Sequence, residues 1–315
     1  MDILLFSITT IAPTFIIILT GVFLKKIRII NDDSCGYLSG LVFNLLLPAL
    51  ILKTIAQMDK NSSFTYSMVL SLLIFYFGTI TIAWLAAGFM GIQKGVRGFF
   101  MTGATFGNNA IIGYAFGDAL YGEAGIARAA ILSAILMPLS IFFSGLMLNR
   151  TDTDKSSRHA VRDFALSMVK NPVMLSLLAG IIIWQSPFEV PDLGISVLTM
   201  LGQAALPVAL ISIGGSLQFN MNKGDYSEIS ATTVLKLLVM PALALLASLL
   251  LNLTPEATGS LLLMAACPSS ISYYVMARNQ GHSSSKGAGV VTATTVSSAF
   301  TAALIAAYLR HQGWV

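Results

Sequence analysis

Along this chain, long runs of apolar residues alternate with short polar intervals, and the runs make up most of the length. A run that is apolar on every face has no stripe to turn towards water, and about 20 such residues cross the ~30 Å of hydrocarbon in a bilayer. The runs and their breakers predict transmembrane helices over 3–24, 35–57, 66–90, 97–119, 125–148, 170–187, 196–218, 228–251, 257–279 and 288–310, spans 1 to 10 in chain order. Span 6 is short, and spans 4 and 9 are interrupted by polar residues. The expected fold class is an all-α polytopic membrane protein with about ten transmembrane helices.

Composition agrees with that pattern. Of 315 residues, 56% are hydrophobic and 10% charged, against roughly a quarter charged in an average soluble domain, and the mean hydropathy is +0.80. The chain starts without a basic segment, and its first apolar run is too long for the core of a signal peptide and carries no small-residue cleavage pattern, so span 1 is read as retained.

Net charge of +4 does not point to nucleic acid, because the basic residues are confined to particular loops. Lys25, Lys26, Arg28, Lys94, Arg97, Arg150, Lys155, Arg158, Arg162, Lys170, Lys223, Arg278 and Lys286 fall in loops on one side; Lys60, Arg128 and Arg310 are all that the other side and the termini hold. Lys and Arg are retained in the cytoplasm. The expected location is therefore the inner (plasma) membrane, multi-pass, with both termini on the non-cytoplasmic side and the 149–169 connection in the cytoplasm.

The two halves resemble each other. A shift of 159 residues places Pro13 on Pro172, Gly21 on Gly180, Leu47-Pro48 on Leu206-Pro207, Ile112 on Ile271 and Tyr114 on Tyr273. Residues 1–148 are read as a first five-helix repeat and 170–315 as a second. Since five is odd, the second repeat enters the membrane from the opposite side, a 5+5 inverted repeat. In transporters of that plan, substrate sits near the midplane, where discontinuous helices of the two halves meet and their N-terminal ends present positive dipoles.

Spans 4 and 9 carry the signature of such breaks at matching positions. Span 4 reads GATFGNNAIIGYAFG over 103–117, and span 9 reads AACPSSISYYVMAR over 265–278. Pro268 removes a backbone donor and aligns with Asn109 under the same shift. Paired amides and hydroxyls at midplane are costly without a polar task, which nominates Asn108, Asn109, Ser269 and Ser270 as substrate-binding residues. The glycines Gly103 and Gly117 fit close helix packing equally well. Tyr273 either lines the site or packs beside the break.

These motifs, taken in order, resemble those of the auxin efflux carrier family, which includes bacterial malate and malonate permeases. The similarity runs over nearly the whole chain: FNLLLPALIL at 43–52, NNAIIG at 108–113, KNP at 170–172, LGQAALPVALISIGGSL at 201–217, Lys236 followed by Pro241, and CPSSISYYVMAR at 267–278. The resemblance implies crossed, broken spans 4 and 9 in a mobile transport domain, with spans 1, 2, 6 and 7 as scaffold. It places the substrate anion at the crossing, with Asn108 as the crossover asparagine, Pro268 as the ninth-span proline and Gln203 as a polar scaffold position. Asn44, inside the second-span motif, joins the substrate-binding candidates. The chain departs from the commoner Gly-x-Pro after the crossover, having Gly113-Tyr114-Ala115. A homodimer through the scaffold helices is a further partner expectation.

Two basic residues lie well inside spans. Lys53 is close enough to the end of span 2 to snorkel to the interface. Lys236 is about nine residues from the end of span 8, which at roughly 1.5 Å per residue is near the midplane; it either attracts the anion or holds exposed carbonyls. Asp118 and Glu123, near the outer end of span 4, are charge or coupling candidates together with Lys236. Coupling to Na⁺ or H⁺ stays open, and no cofactor is expected.

The expected function is a secondary active transporter of a small organic anion, a mono- or dicarboxylate, working by elevator-type alternating access. The alternatives are a cation/proton antiporter, an anion channel or a membrane sensor. An enzyme is not expected, since the three histidines, His159, His282 and His311, lie in loops or at the end and no intramembrane nucleophile motif appears. Cys35 and Cys267 have neither CxxC spacing nor further ligands, so no metal site is expected.

Overall fold

The computed structural model describes residues 3–58, 66–148, 170–187, 190–279 and 283–315, and these are almost entirely helical. Among the described residues, seven helical stretches are long and apolar enough to cross a membrane, including Leu5–Lys26, Asp32–Ala56, Tyr66–Phe89 and Asp192–Ser216, and Pro172–Gln185 is a shorter apolar helix. The 149–169 connection expected in the cytoplasm lies outside the described residues, as does Lys60.

Helix α1 (Ile3–Lys26) ends where Arg28 takes a positive φ of 62°. Asn31 then caps α2 (Asp32–Leu41) by accepting from the Ser34 amide, with Asp32 and Asp33 in the first turn against the positive end of the helix dipole. A π turn (Val42–Leu46) joins α2 to α3 (Leu47–Ala56). Pro48 explains it: a proline has no N–H for the carbonyl one turn back and its ring crowds that carbonyl, and a widened turn just upstream relieves both. The same device recurs where α9 (Tyr226–Val234) passes through a π turn (Leu235–Val239) into α10 (Met240–Leu250), which carries Pro241.

Between these lie α4 (Tyr66–Phe89), α5 (Lys94–Thr105), a π turn (Asn109–Gly113) and α6 (Tyr114–Leu148). Spans 4 and 5 are expected as separate segments, and α6 accordingly comprises two helical stretches that break at Gly122 (φ 58°, ψ −145°), a conformation that suits a residue without Cβ. The second half comprises α7 (Pro172–Gln185), capped by Asn171, then α8 (Asp192–Ser216), α9 and α10. It ends with α11 (Pro255–Ala265), α12 (Ile271–Asn279) and α13 (Ser284–His311).

The main pairings are α1 with α8, α3 with α7 and α8, and α4 with α10. At the α1–α8 seam the two backbones touch: a Cβ on Gly21 would run into the Ile211 carbonyl, and one on Gly214 into the Ile18 carbonyl. Large apolar side chains point away from the packed interior, as with Ile16 at 60% and Leu19 at 63% exposure on α1, and Leu178 and Ile182 on α7. In water that surface would be a liability, and in lipid it is the matching solvent.

Candidate functional site

The breaks in the fourth and ninth predicted spans meet. Helix α5 stops at Thr105 and α11 at Ala265, and the extended residues beyond them run antiparallel, Gly107 opposite Ser269. The Asn108 amide donates to the Pro268 carbonyl at 2.7 Å, and the Ser270 amide donates to the Phe106 carbonyl at 2.9 Å. Backbone groups released from both helices thus satisfy each other, which is what irregular backbone at membrane depth requires.

Side chains complete the seal. The Ser269 hydroxyl donates to the Gly103 carbonyl at 2.6 Å, a carbonyl that α5 leaves without a helical donor, while the Ser269 amide donates to the Thr294 hydroxyl of α13 at 3.1 Å. The Ser270 hydroxyl accepts from the Ser272 amide and so caps α12. Replacing Ser269 with alanine leaves a buried carbonyl unpaired and is expected to destabilise the fold by about 1–2 kcal/mol; a thermal melt of the detergent-purified variant superimposing on the parent's would contradict that role.

Into this crossing come polar groups that the fold does not use. Asn108 and Asn109 are buried, and the Asn109 Oδ1 and the Tyr273 hydroxyl find no hydrogen-bond partner among the described residues. Lys236, at 0% exposure, has its Nζ 3.1 Å from the Met240 sulfur, a weak acceptor, and makes no ion pair among the described residues. A Cβ on Gly107 would sit 2.5 Å from Asn109 Oδ1 and 2.9 Å from Lys236 Nζ, so amide and ammonium both crowd that α-carbon. The N-terminal ends of the Asn109–Gly113 turn and of α12 also point here, adding partial positive charge.

A cavity of about 570 Å³ lies beside the crossing, walled by α1, α3, α6 and α8, within the range of small-molecule sites. Its polar lining is Lys53, Asp118, Glu123, Gln203 and the threonines Thr9, Thr10, Thr14, Thr54 and Thr199. Ala115, in the first turn of α6 after the crossing, forms part of the wall, so α6 leads from one to the other.

The sequence candidates therefore fall into two groups. Asn108, Asn109, Pro268, Ser269, Ser270, Tyr273 and Lys236 gather at the crossing, and none of them lines the cavity; Gln203, Asp118 and Glu123 line the cavity. Asn44 joins neither: it is exposed, and its amide donates to the Gly40 carbonyl of its own helix. Lys53 is not snorkelling. Its side chain is 13% exposed and ion-paired with Glu123 in the cavity wall. Sequence reading passed over that role because its partner is 70 residues away. It also passed over Thr54, whose buried hydroxyl is unpaired among the described residues.

Comparison with known proteins follows the same outline. The family described as membrane transport protein matches residues 6–306. An uncharacterized transporter of Methanothermobacter thermautotrophicus is 25% identical over 244 residues, 76% of this chain and 77% of that one. The uncharacterized transporter MJ1031 of Methanocaldococcus jannaschii is 24% identical over 83% of this chain and 85% of its own. The uncharacterized transporter YfdV of Escherichia coli K12 is 24% identical over 87% of this chain and 88% of its own.

Proposed function

Because the chain belongs to the membrane transport protein family, that of the auxin efflux carriers, and is thus a multi-pass membrane transporter, we propose that it is a secondary carrier of a small organic anion, a mono- or dicarboxylate. The observation that carries this reading is the fully buried Lys236, at a crossing where two helix N-termini and the Asn109 amide oxygen converge, neither side chain having an acidic or hydrogen-bonding partner other than the Met240 sulfur among the described residues. A buried cation of that kind is a functional feature by default in a membrane, and one beside positive dipole ends favours an anion.

In this reading the chain has ten spans as a 5+5 inverted repeat, with both termini outside. The pairings support it: α1 against α8 and α7 against α3 exchange with each other under the 159-residue shift, and α4 against α10 maps onto itself. Helices α1, α3, α7 and α8 are the scaffold, and the crossed segments move past it carrying substrate, an elevator motion. The cavity lies between scaffold helices and α6, on the surface along which that motion slides.

Counterflow tests the reading. Proteoliposomes loaded with unlabelled malonate or malate are expected to accumulate the labelled acid transiently, with saturable rates. Ohmic, non-saturating flux would indicate a channel instead. Cation/proton antiport draws on Asp118 and Glu123 in the cavity; it predicts alkali-cation-driven proton movement with no carboxylate present, which the same vesicles report.

A further inference from the structure

We infer that Lys53 is a carboxylate-binding residue of the cavity, and that Glu123 occupies it in the empty protein, so that each substrate carboxylate binds together with one proton. The inference rests on the carboxylate reading above and adds to it a residue and a coupling ion.

Lys53 is the one cation among the described residues lining the cavity, and its charge is already engaged by Glu123. The two come from different bodies of the proposed carrier, Lys53 from scaffold helix α3 and Glu123 from the turn of α6 just beyond Gly122. Glu123's side chain is 66% exposed and Lys53's 13%. The lysine is thus held in the wall, while the carboxylate reaches it from the open side, where an entering carboxylate would stand. Next to Lys53, the Thr54 hydroxyl is buried, faces the cavity and has no partner among the described residues. It can donate to the second oxygen of a carboxylate held by Lys53.

Charge then dictates the proton. The titratable groups facing Glu123 are Lys53 from α3 and Asp118 from its own helix; α1 and α8 offer the cavity hydroxyls, the Gln203 amide and apolar groups. With one lysine against two carboxylates, the empty cavity carries a formal charge of −1. An added carboxylate would make it −2, and like charges gathered in one cavity disfavour joint ionisation. If Glu123 takes a proton from water as it leaves Lys53, the Lys53–Glu123 pair is exchanged for a Lys53–substrate pair at constant charge. No covalent bond other than that O–H forms.

Calorimetric titration of the detergent-purified protein with malonate, malate and benzoate, from about pH 5.5 to pH 8, tests this. For whichever acid binds, affinity is expected to fall as the pH rises, approaching tenfold per pH unit, with one proton taken up as judged from buffers of different ionisation enthalpy. Glu123→Gln is expected to bind at least as tightly as the parent at pH 7 and to lose the slope. Lys53→Met should lose at least 30-fold, and Lys53→Arg should restore most of it. A parent whose affinity is flat in pH, or a Lys53→Met variant that binds like the parent, overturns the inference and leaves the carrier reading standing. If none of the acids binds the parent at any pH while the folded state is verified by its melt, the carboxylate reading itself falls and this inference with it. A purely structural ion pair would lower the melting temperature in both variants and leave the slope unchanged.

Discussion

Lys236→Met is expected to make the protein more stable and to stop it transporting. The lysine is fully buried, and among the described residues its ammonium's hydrogen-bond partner is a methionine sulfur. A buried charge replaced by an apolar side chain of similar volume is typically neutral or stabilising, by about 1–4 kcal/mol, and methionine follows the same path as the lysine stem. Were Lys236 only a strut for the crossing, losing its charge would relieve a desolvation cost and leave transport alone. If it attracts the anion, removing it should cost about 2–5 kcal/mol of binding, on the order of 30- to 5000-fold in counterflow rate at low substrate. The two measurements move in opposite directions, which separates loss of function from loss of fold. A variant that melts higher and transports at the parent's rate would remove Lys236 from the site and take the main support for an anion with it.

Much of this arrangement could be read from residue order, and the reasons differ by feature. Apolar runs mark membrane helices because lipid asks only for length and apolarity, and both are local properties. The breaks were legible because Asn108-Asn109 and Pro268 are poor residues for the middle of a membrane helix, and the helices do stop at Thr105 and Ala265, a few residues before them. Counting turns put Lys236 deep inside its span, and only the fold sets its ammonium beside Gly107. What sequence could not show was pairing across space. Lys53 looks like a snorkelling lysine until Glu123 is set opposite it, and that placement depends on a single residue, Gly122, turning the chain. The cavity is likewise a property of four helices together, so Gln203, Asp118 and Glu123 could be nominated singly but not separated from the crossing residues. Asn44 failed to join either group for a local reason. It sits in the π turn that Pro48 induces, and there its amide is taken up by the Gly40 carbonyl.

Gly21→Val is expected to be the most disruptive single substitution in the scaffold. Where α1 crosses α8, Gly21 lies against the Ile211 carbonyl and Gly214 against that of Ile18, so each helix rests on the other's backbone with no side chain between. Membrane helices gain little from the hydrophobic effect on associating, so the seam depends on van der Waals contact at this separation. A branched side chain can be admitted only by moving the helices apart, and because the obstacle is a carbonyl of a packed helix, no rotamer relieves it. Overpacking of this kind costs on the order of 3 kcal/mol. The same two helices supply the Thr9–Ile17 and Leu198–Leu210 walls of the cavity, so their separation should also weaken carboxylate binding. Gly145→Ala is the matched control. It lies within α6, and a Cβ there meets nothing within 4 Å, so the change should be neutral or stabilise by up to about 1 kcal/mol through helix propensity. Fluorescence-detected melts of both variants in one detergent decide the matter. If Gly21→Val melts with Gly145→Ala, the α1–α8 seam yields more readily than its geometry allows, and a scaffold that yields there is a poor reference for an elevator to move against.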